Sequence, residues 1–184
     1  MYKEERYIYR LFHIDTNRIN SRLNLPAMNK LEQWHSNGVI DIEFSEVARK
    51  EALFGEDRLR TKKANSYIFT KTLASTAKDR KRLLIIKQIL FPNEEINSNK
   101  RNDIEIVFNA LKYVAILITN DGTSKKKNGI LDHKNELKQA FGLLVMSDVE
   151  AVDYVRGLIN KRDKRAQMLH EKYGFELPSW VGKD

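Results

Sequence analysis

The sequence predicts an α/β fold, a parallel sheet covered on both faces by helices, and two observations carry that reading. Short runs rich in branched and aromatic residues recur at Tyr7 to Ile14, Val39 to Phe44, Ala115 to Thr119 and Leu143 to Met146. Runs of this kind form buried strands. Helical patterns separate them, so strands alternate with helices, which is the mark of right-handed βαβ units and a parallel sheet.

Each element has a local reason. Arg18 to Trp34 is helical in pattern but contains Pro26, which divides it into two pieces. A turn at Ser36-Asn37-Gly38 feeds the second strand. Ser45 caps a helix that runs to Phe54, with Gly55 as its stop. Glu56 to Leu90 reads as helical throughout, with Leu83, Leu84, Ile86 and Leu90 on one stripe, and Phe91-Pro92-Asn93 ends it. Asn97 to Asn102 reads as a polar, basic loop. Asp103 then opens a helix with apolar residues at Ile104, Val107, Phe108, Leu111 and Val114. A glycine- and lysine-rich loop spans Gly122 to Gly129. Ser147-Asp148-Val149-Glu150 is a capping box that opens a last long helix over about 148–173. The tail carries Trp180, which is expected to dock on the body or on a partner.

The chain has 184 residues, enough for one domain with a continuous core, and 41% of them are hydrophobic. It contains no apolar run of about 18 residues or more and no charged-then-apolar leader, so neither a membrane span nor secretion by signal peptide is expected. The absence of cysteine excludes disulfides and thiolate metal sites and is compatible with a cytoplasmic location. Net charge is +8, from 33 basic and 25 acidic residues. The basic residues cluster at Lys62-Lys63, Lys78 to Arg82, Lys100-Arg101, Lys125-Lys126-Lys127 and Lys161 to Arg165. Any one cluster reads as a solvated face; together they point to a phosphate-rich partner.

The chemistry concentrates in acids. Asp15 ends the first apolar strand and Asp121 ends the third, each beside a Thr and an Asn. In open α/β sheets ligands sit outside the carboxyl ends of the strands. Parallel strands would bring both acids to that edge, and a helix that starts there would add Asp103. Glu51 and Glu46 lie on the helix after the second strand. Like charges gathered in one place imply a bound cation. An oxygen-only set of carboxylates is a hard site suited to Mg²⁺ or Mn²⁺. Such ions can drive an in-line phosphodiester displacement.

The residues resemble a known family. Ile14-Asp15-Thr16-Asn17 is similar to the hydrophobic-Asp-Thr-Asn opening of PIN-domain ribonucleases. The stretch from Asn102-Asp103-Ile104 to Ala110, running on to Leu117-Ile118-Thr119-Asn120-Asp121, resembles that family's second half. The resemblance spans about 7–147 of a single 1–184 domain. It implies a three-layer α/β/α sandwich around a parallel sheet of four or five strands, with an added helical segment at about 56–100 and the long C-terminal helix. It also implies metal-dependent cleavage of RNA. Many small members are toxins of toxin–antitoxin pairs that dimerise, so RNA, a small antitoxin and a second copy are the implied partners. By this match Asp15, Asp103 and Asp121 hold Mg²⁺ or Mn²⁺. The second acid of the family fits Glu51 best, in Val47 to Leu53, with Glu46 as runner-up. Asn17 and Thr119 would orient carboxylates or water. Lys125, Lys126 and Lys127, with Lys100 and Arg101, would bind substrate phosphates.

Each acid also has a plainer use. Asp15 and Asp103 could simply cap or favour helix starts, and Thr119 to Gly122 could be no more than a turn. His13, inside an apolar strand, reads as a satisfied core histidine. A catalytically silent PIN-like binding module is the alternative to an enzyme. A nucleotide-binding domain is disfavoured because no glycine-rich phosphate loop follows a strand.

Overall fold

The computed structural model describes residues 5–54, 56–122 and 129–184. Strands β1 (Leu11–Ile14), β2 (Asp41–Ser45), β3 (Ile68–Thr70), β4 (Ile116–Ile118) and β5 (Val145–Met146) form one sheet in the order β3-β2-β1-β4-β5. Every pairing is parallel. The chain moves outward from β1 through β2 and β3, then returns across the sheet to β4 and β5. The direction therefore switches between β1 and β4, and a crevice opens at the carboxyl ends of those two strands.

The helices are α1 (Pro26–Ser36), α2 (Glu46–Leu53), α3 (Arg58–Ala64), α4 (Ala77–Leu90), α5 (Ser98–Lys112), α6 (Lys134–Phe141) and α7 (Asp148–Tyr173). Single 3₁₀ turns lie at Thr16–Arg18 and Ile130–His133. α1 packs against α7, and α5 packs against α4 and α2. Phe12 to Ile14 and all of β4 are buried on both sides of the pleat, as a sheet between two helical layers requires. Trp34, Phe12, Phe44 and Met28 lead the core. No helix among the described residues is long and apolar enough to cross a membrane.

Local chemistry explains most boundaries. Ser45 ends β2 and caps α2 at once, its hydroxyl accepting from Ala48 N at 3.1 Å. The capping box at Ser147 is complete, with Glu150 N donating to Ser147 Oγ at 3.2 Å and Ser147 N donating to the Glu150 carboxylate at 2.8 Å. Gly38 turns the chain into β2 at φ 69°. Trp180 docks on α7, its ring 4.2 Å from the Arg162 guanidinium, and Asp184 beyond it pairs with Arg162 and Arg6.

Four expectations need correction. Pro26 does not divide a helix; it starts α1, where its missing N–H costs nothing, after one 3₁₀ turn and an irregular stretch. Tyr7 to Arg10 is not strand, because Tyr9 takes a φ of 54° that breaks the extension. The segment from Glu56 to Leu90 is largely helical but is interrupted by β3, an edge strand whose Ile68 and Phe69 face solvent. Asn97 to Asn102 is not a loop. Asn97 caps α5 by accepting from Lys100 N at 3.0 Å, which puts Asp103 in the second turn instead of at the helix start. Gly55, the expected stop of α2, lies outside the described residues; the helix closes at Phe54.

Asp79 ties α4 to α5. Its carboxylate takes both hydrogen bonds of the Lys112 ammonium, at 3.0 and 3.1 Å, and completes the capping box with Thr76. The Lys112 bond holds this carboxyl below its ordinary value, against the opposing effect of burial. A depressed carboxyl contributes stability above its unfolded value near pH 4, which is lost as pH falls through the folded value. Asp79→Asn is therefore less stable than the parent chain at pH 7 in urea denaturation, and the gap closes as pH falls towards about 3.

Candidate active site

The crevice between β1 and β4 gathers the acids. Asp15 follows β1 and caps the 3₁₀ turn. Its Oδ1 accepts from Thr16 N at 2.6 Å, and its Oδ2 accepts from Asn17 Nδ2 at 2.6 Å and from Thr119 Oγ1 at 2.7 Å. Thr119, fully buried past the end of β4, also accepts from Asn17 Nδ2 at 3.1 Å and from Asp121 N at 2.9 Å. Asn17 Oδ1 accepts from Asn120 N at 3.1 Å. Asp15, Asn17 and Thr119 thus lace the two strand ends together and orient the first carboxylate.

The other acids arrive from three directions. Glu51 on α2 accepts from Thr16 Oγ1 at 2.6 Å and from Asn102 Nδ2 at 2.7 Å. Asp103 follows Asn102 on α5. Asp121 lies beyond β4, its Oδ2 accepting from Ile130 N at 3.0 Å and its carbonyl from Leu131 N at 2.8 Å. Gly129 presses on it so closely that an added Cβ would stand 2.5 Å from Asp121 Cγ and would also strike the backbone of Gly122.

Electrostatics show that the four share one field. Burial pushes the Asp103 carboxyl up to about 7, and Asp121, Asp15 and Glu51 push in the same direction. Burial also raises Asp15, to about 6, with Glu51 and Asp121 adding to the effect while the Thr119 and Thr16 hydrogen bonds oppose it. None of the four forms an ion pair with a described lysine or arginine. Two arginines border the acids without neutralising them. Arg60 on α3 donates to the Thr16 carbonyl at 3.1 Å, and Arg18 pairs with Asp148 at 3.1 Å while donating to the Asn17 carbonyl at 2.9 Å.

This oxygen-only donor set suits a hard divalent cation. Among the described residues no three of these groups close on one point tightly enough to ligate an ion by themselves. Mg²⁺ keeps several waters and contacts only one or two carboxylates, so the donor chemistry fits an ion whose shell water completes.

Of the residues singled out in the sequence, Asp15, Glu51, Asp103, Asp121, Asn17 and Thr119 come together. Glu46 turns away to Lys50 and Lys71, at 3.2 and 3.7 Å. Lys100 is engaged by Glu94 at 2.8 Å, and Arg101 lines a groove between α4 and α5. Lys125, Lys126 and Lys127 lie outside the described residues. His13 is buried but not satisfied: neither ring nitrogen has a hydrogen-bond partner, and burial depresses it to about 4. Sequence reading met Thr16 and Asn102 only as motif residues and gave them no role; they fix Glu51, and their adjacency to Asp15 and Asp103 was the signal.

No protein family description and no curated protein matches this chain in sequence. Among solved structures it is similar to VapBC2 from Rickettsia felis, determined bound to a DNA fragment from its promoter. The match has 18% identity and a TM-score of 0.49, over 74% of this chain and 98% of that chain.

Repulsion among these carboxylates opposes folding when no cation is present. Asp103→Asn, which removes one charge and keeps the shape, raises the thermal midpoint at pH 7.5 in chelator. Thr119→Val removes a donor that stabilises the ionised Asp15 and moves that carboxyl above about 6 in an NMR titration.

Proposed function

We propose that this chain is a PIN-like endoribonuclease that hydrolyses RNA phosphodiester bonds with Mg²⁺ or Mn²⁺, in the manner of the toxins of toxin–antitoxin pairs. The observation that carries the reading is the set of four carboxylates, Asp15, Glu51, Asp103 and Asp121, gathered at the switch point of a parallel sheet without a described cation to pair them. The Asp-Thr-Asn and Thr-Asn-Asp motifs at the ends of β1 and β4 support the family. RNA, a small antitoxin and a second copy of the chain are the proposed partners, and the cytoplasm is the proposed location.

Asp15, Glu51, Asp103 and Asp121 would hold the cation, which would supply a coordinated water of lowered pKa and charge to stabilise the leaving oxygen. The chain's part is to aim and hold. Thr16, Asn17 and Thr119 fix the oxygens of Asp15. Thr16 and Asn102 fix those of Glu51. Asp103 and Asp121 supply the remaining charge from α5 and from beyond β4. Lys125 to Lys127, which follow Asp121 in the chain, supply phosphate contacts that position the backbone without reading sequence.

A catalytically silent PIN-like module is the second reading, favoured by the failure of any three described carboxylates to converge on one point. Cleavage of mixed single-stranded RNAs, with and without Mg²⁺, separates the two. The enzyme cuts only with the metal and gains thermal stability from it, and Asp15→Asn and Asp121→Asn each reduce cleavage by about a hundredfold or more while circular dichroism stays unchanged. Full activity in either variant would sink the proposal.

A further inference from the structure

We infer that the groove between α4 and α5 is a docking surface for an acidic amphipathic helix of a partner protein. The groove encloses about 430 Å³ and is walled by Leu83 and Leu84 of α4, Ile96 of the connecting segment and Ile104 of α5. Leu84 is 67% exposed, so a large apolar side chain stands in water on the wall of this groove. Arg80, Lys87 and Arg101 surround it, with Glu105 as the acid among its lining residues.

Among the described residues these three cations are unpaired where their neighbours are not. Arg82 and Lys112 turn to Asp79, at 3.8 and 3.0 Å, and Lys100 turns to Glu94 at 2.8 Å. Arg80, Lys87 and Arg101 form no ion pair and no side-chain hydrogen bond among the described residues. Unpaired cations around an apolar trough complement an amphipathic helix that presses its apolar stripe onto Leu84 and carries carboxylates on both flanks. A second copy of this chain is a poor occupant, because a two-fold contact at this groove would set the same cations against each other. The occupant would border the acids through a single helix: Arg101 and Glu105 of α5 line the groove, while Asn102 and Asp103 belong to the acid crevice. The inference does not depend on the nuclease reading.

The probe is a synthetic helical peptide of about 15 residues with Leu at i, i+3, i+4 and i+7 and Glu on its flanks, titrated against the full chain by fluorescence anisotropy. The same peptide with Lys for Glu, and a single-stranded RNA, run beside it. The Glu peptide binds about tenfold tighter than the Lys peptide or better, and the triple variant Arg80→Glu, Lys87→Glu, Arg101→Glu reverses that order. Leu84→Asp weakens both peptides. All four positions are at the surface, and circular dichroism verifies the fold of each variant. Equal binding of the two peptides, or indifference to Leu84→Asp, overturns the inference. Loss of RNA binding in the triple variant with no change in peptide binding assigns the groove to nucleic acid instead. A dimer in sedimentation that Leu84→Asp dissolves assigns it to a second copy. RNA cleavage measured on the same variants tests only the nuclease reading.

Discussion

Four carboxylates meet where the strand order reverses, and the protein around them is arranged to tolerate that repulsion. Asp15 is nearly inaccessible to solvent and Asp103 half-buried; burial raises both, Glu51 and Asp121 add to each, and Asp15 adds to Asp103. No described lysine or arginine relieves them. What holds Asp15, Glu51 and Asp121 is a set of neutral donors: two backbone N–H groups, two side-chain amides and two threonine hydroxyls, each aimed at a particular oxygen. Neutral donors orient a carboxylate without cancelling its charge, so the negative field survives for a ligand to use.

The same need explains the sheet. A parallel sheet buried on both faces gives β1 and β4 no freedom to shift, and Thr119, fully buried at the end of that sheet, is the joint through which Asp15 and Asp121 are set relative to one another. α5 plays a second part. Its first turns carry Asn102 and Asp103 to the acids and Arg101 to the opposite groove, so one helix connects two surfaces of different polarity.

How much of this was legible in the sequence depends on the range of the forces involved. Features set within a turn of chain read directly: the Ser147 capping box, the Ser45 cap, the apolar runs of β1 and β4, and the acids that end them. Features set by distant contacts did not. β3 is three residues long and exposed at the sheet edge, so it lacks the buried alternation that marks a strand. The first turn of α5 is wholly polar and carries no periodicity, which hid the helix start from Ser98 to Asn102. Glu46 and Glu51 share a helix, and only the positions of Lys71, Thr16 and Asn102 decide which one faces the crevice. His13 reads as an ordinary core residue, and nothing local reveals that its nitrogens lack a hydrogen bond, with the Glu43 carboxylate standing 3.8 Å from Nε2.

The contact between Gly129 and Asp121 has a wider consequence. A Cβ built on Gly129 would stand 2.4 Å from Gly122 N and 2.5 Å from Asp121 Cγ, so the residue packs against the last acid with no room for a side chain. Position 129 is therefore a sequence constraint set by a neighbour and not by its own backbone: any residue larger than glycine there would displace Asp121.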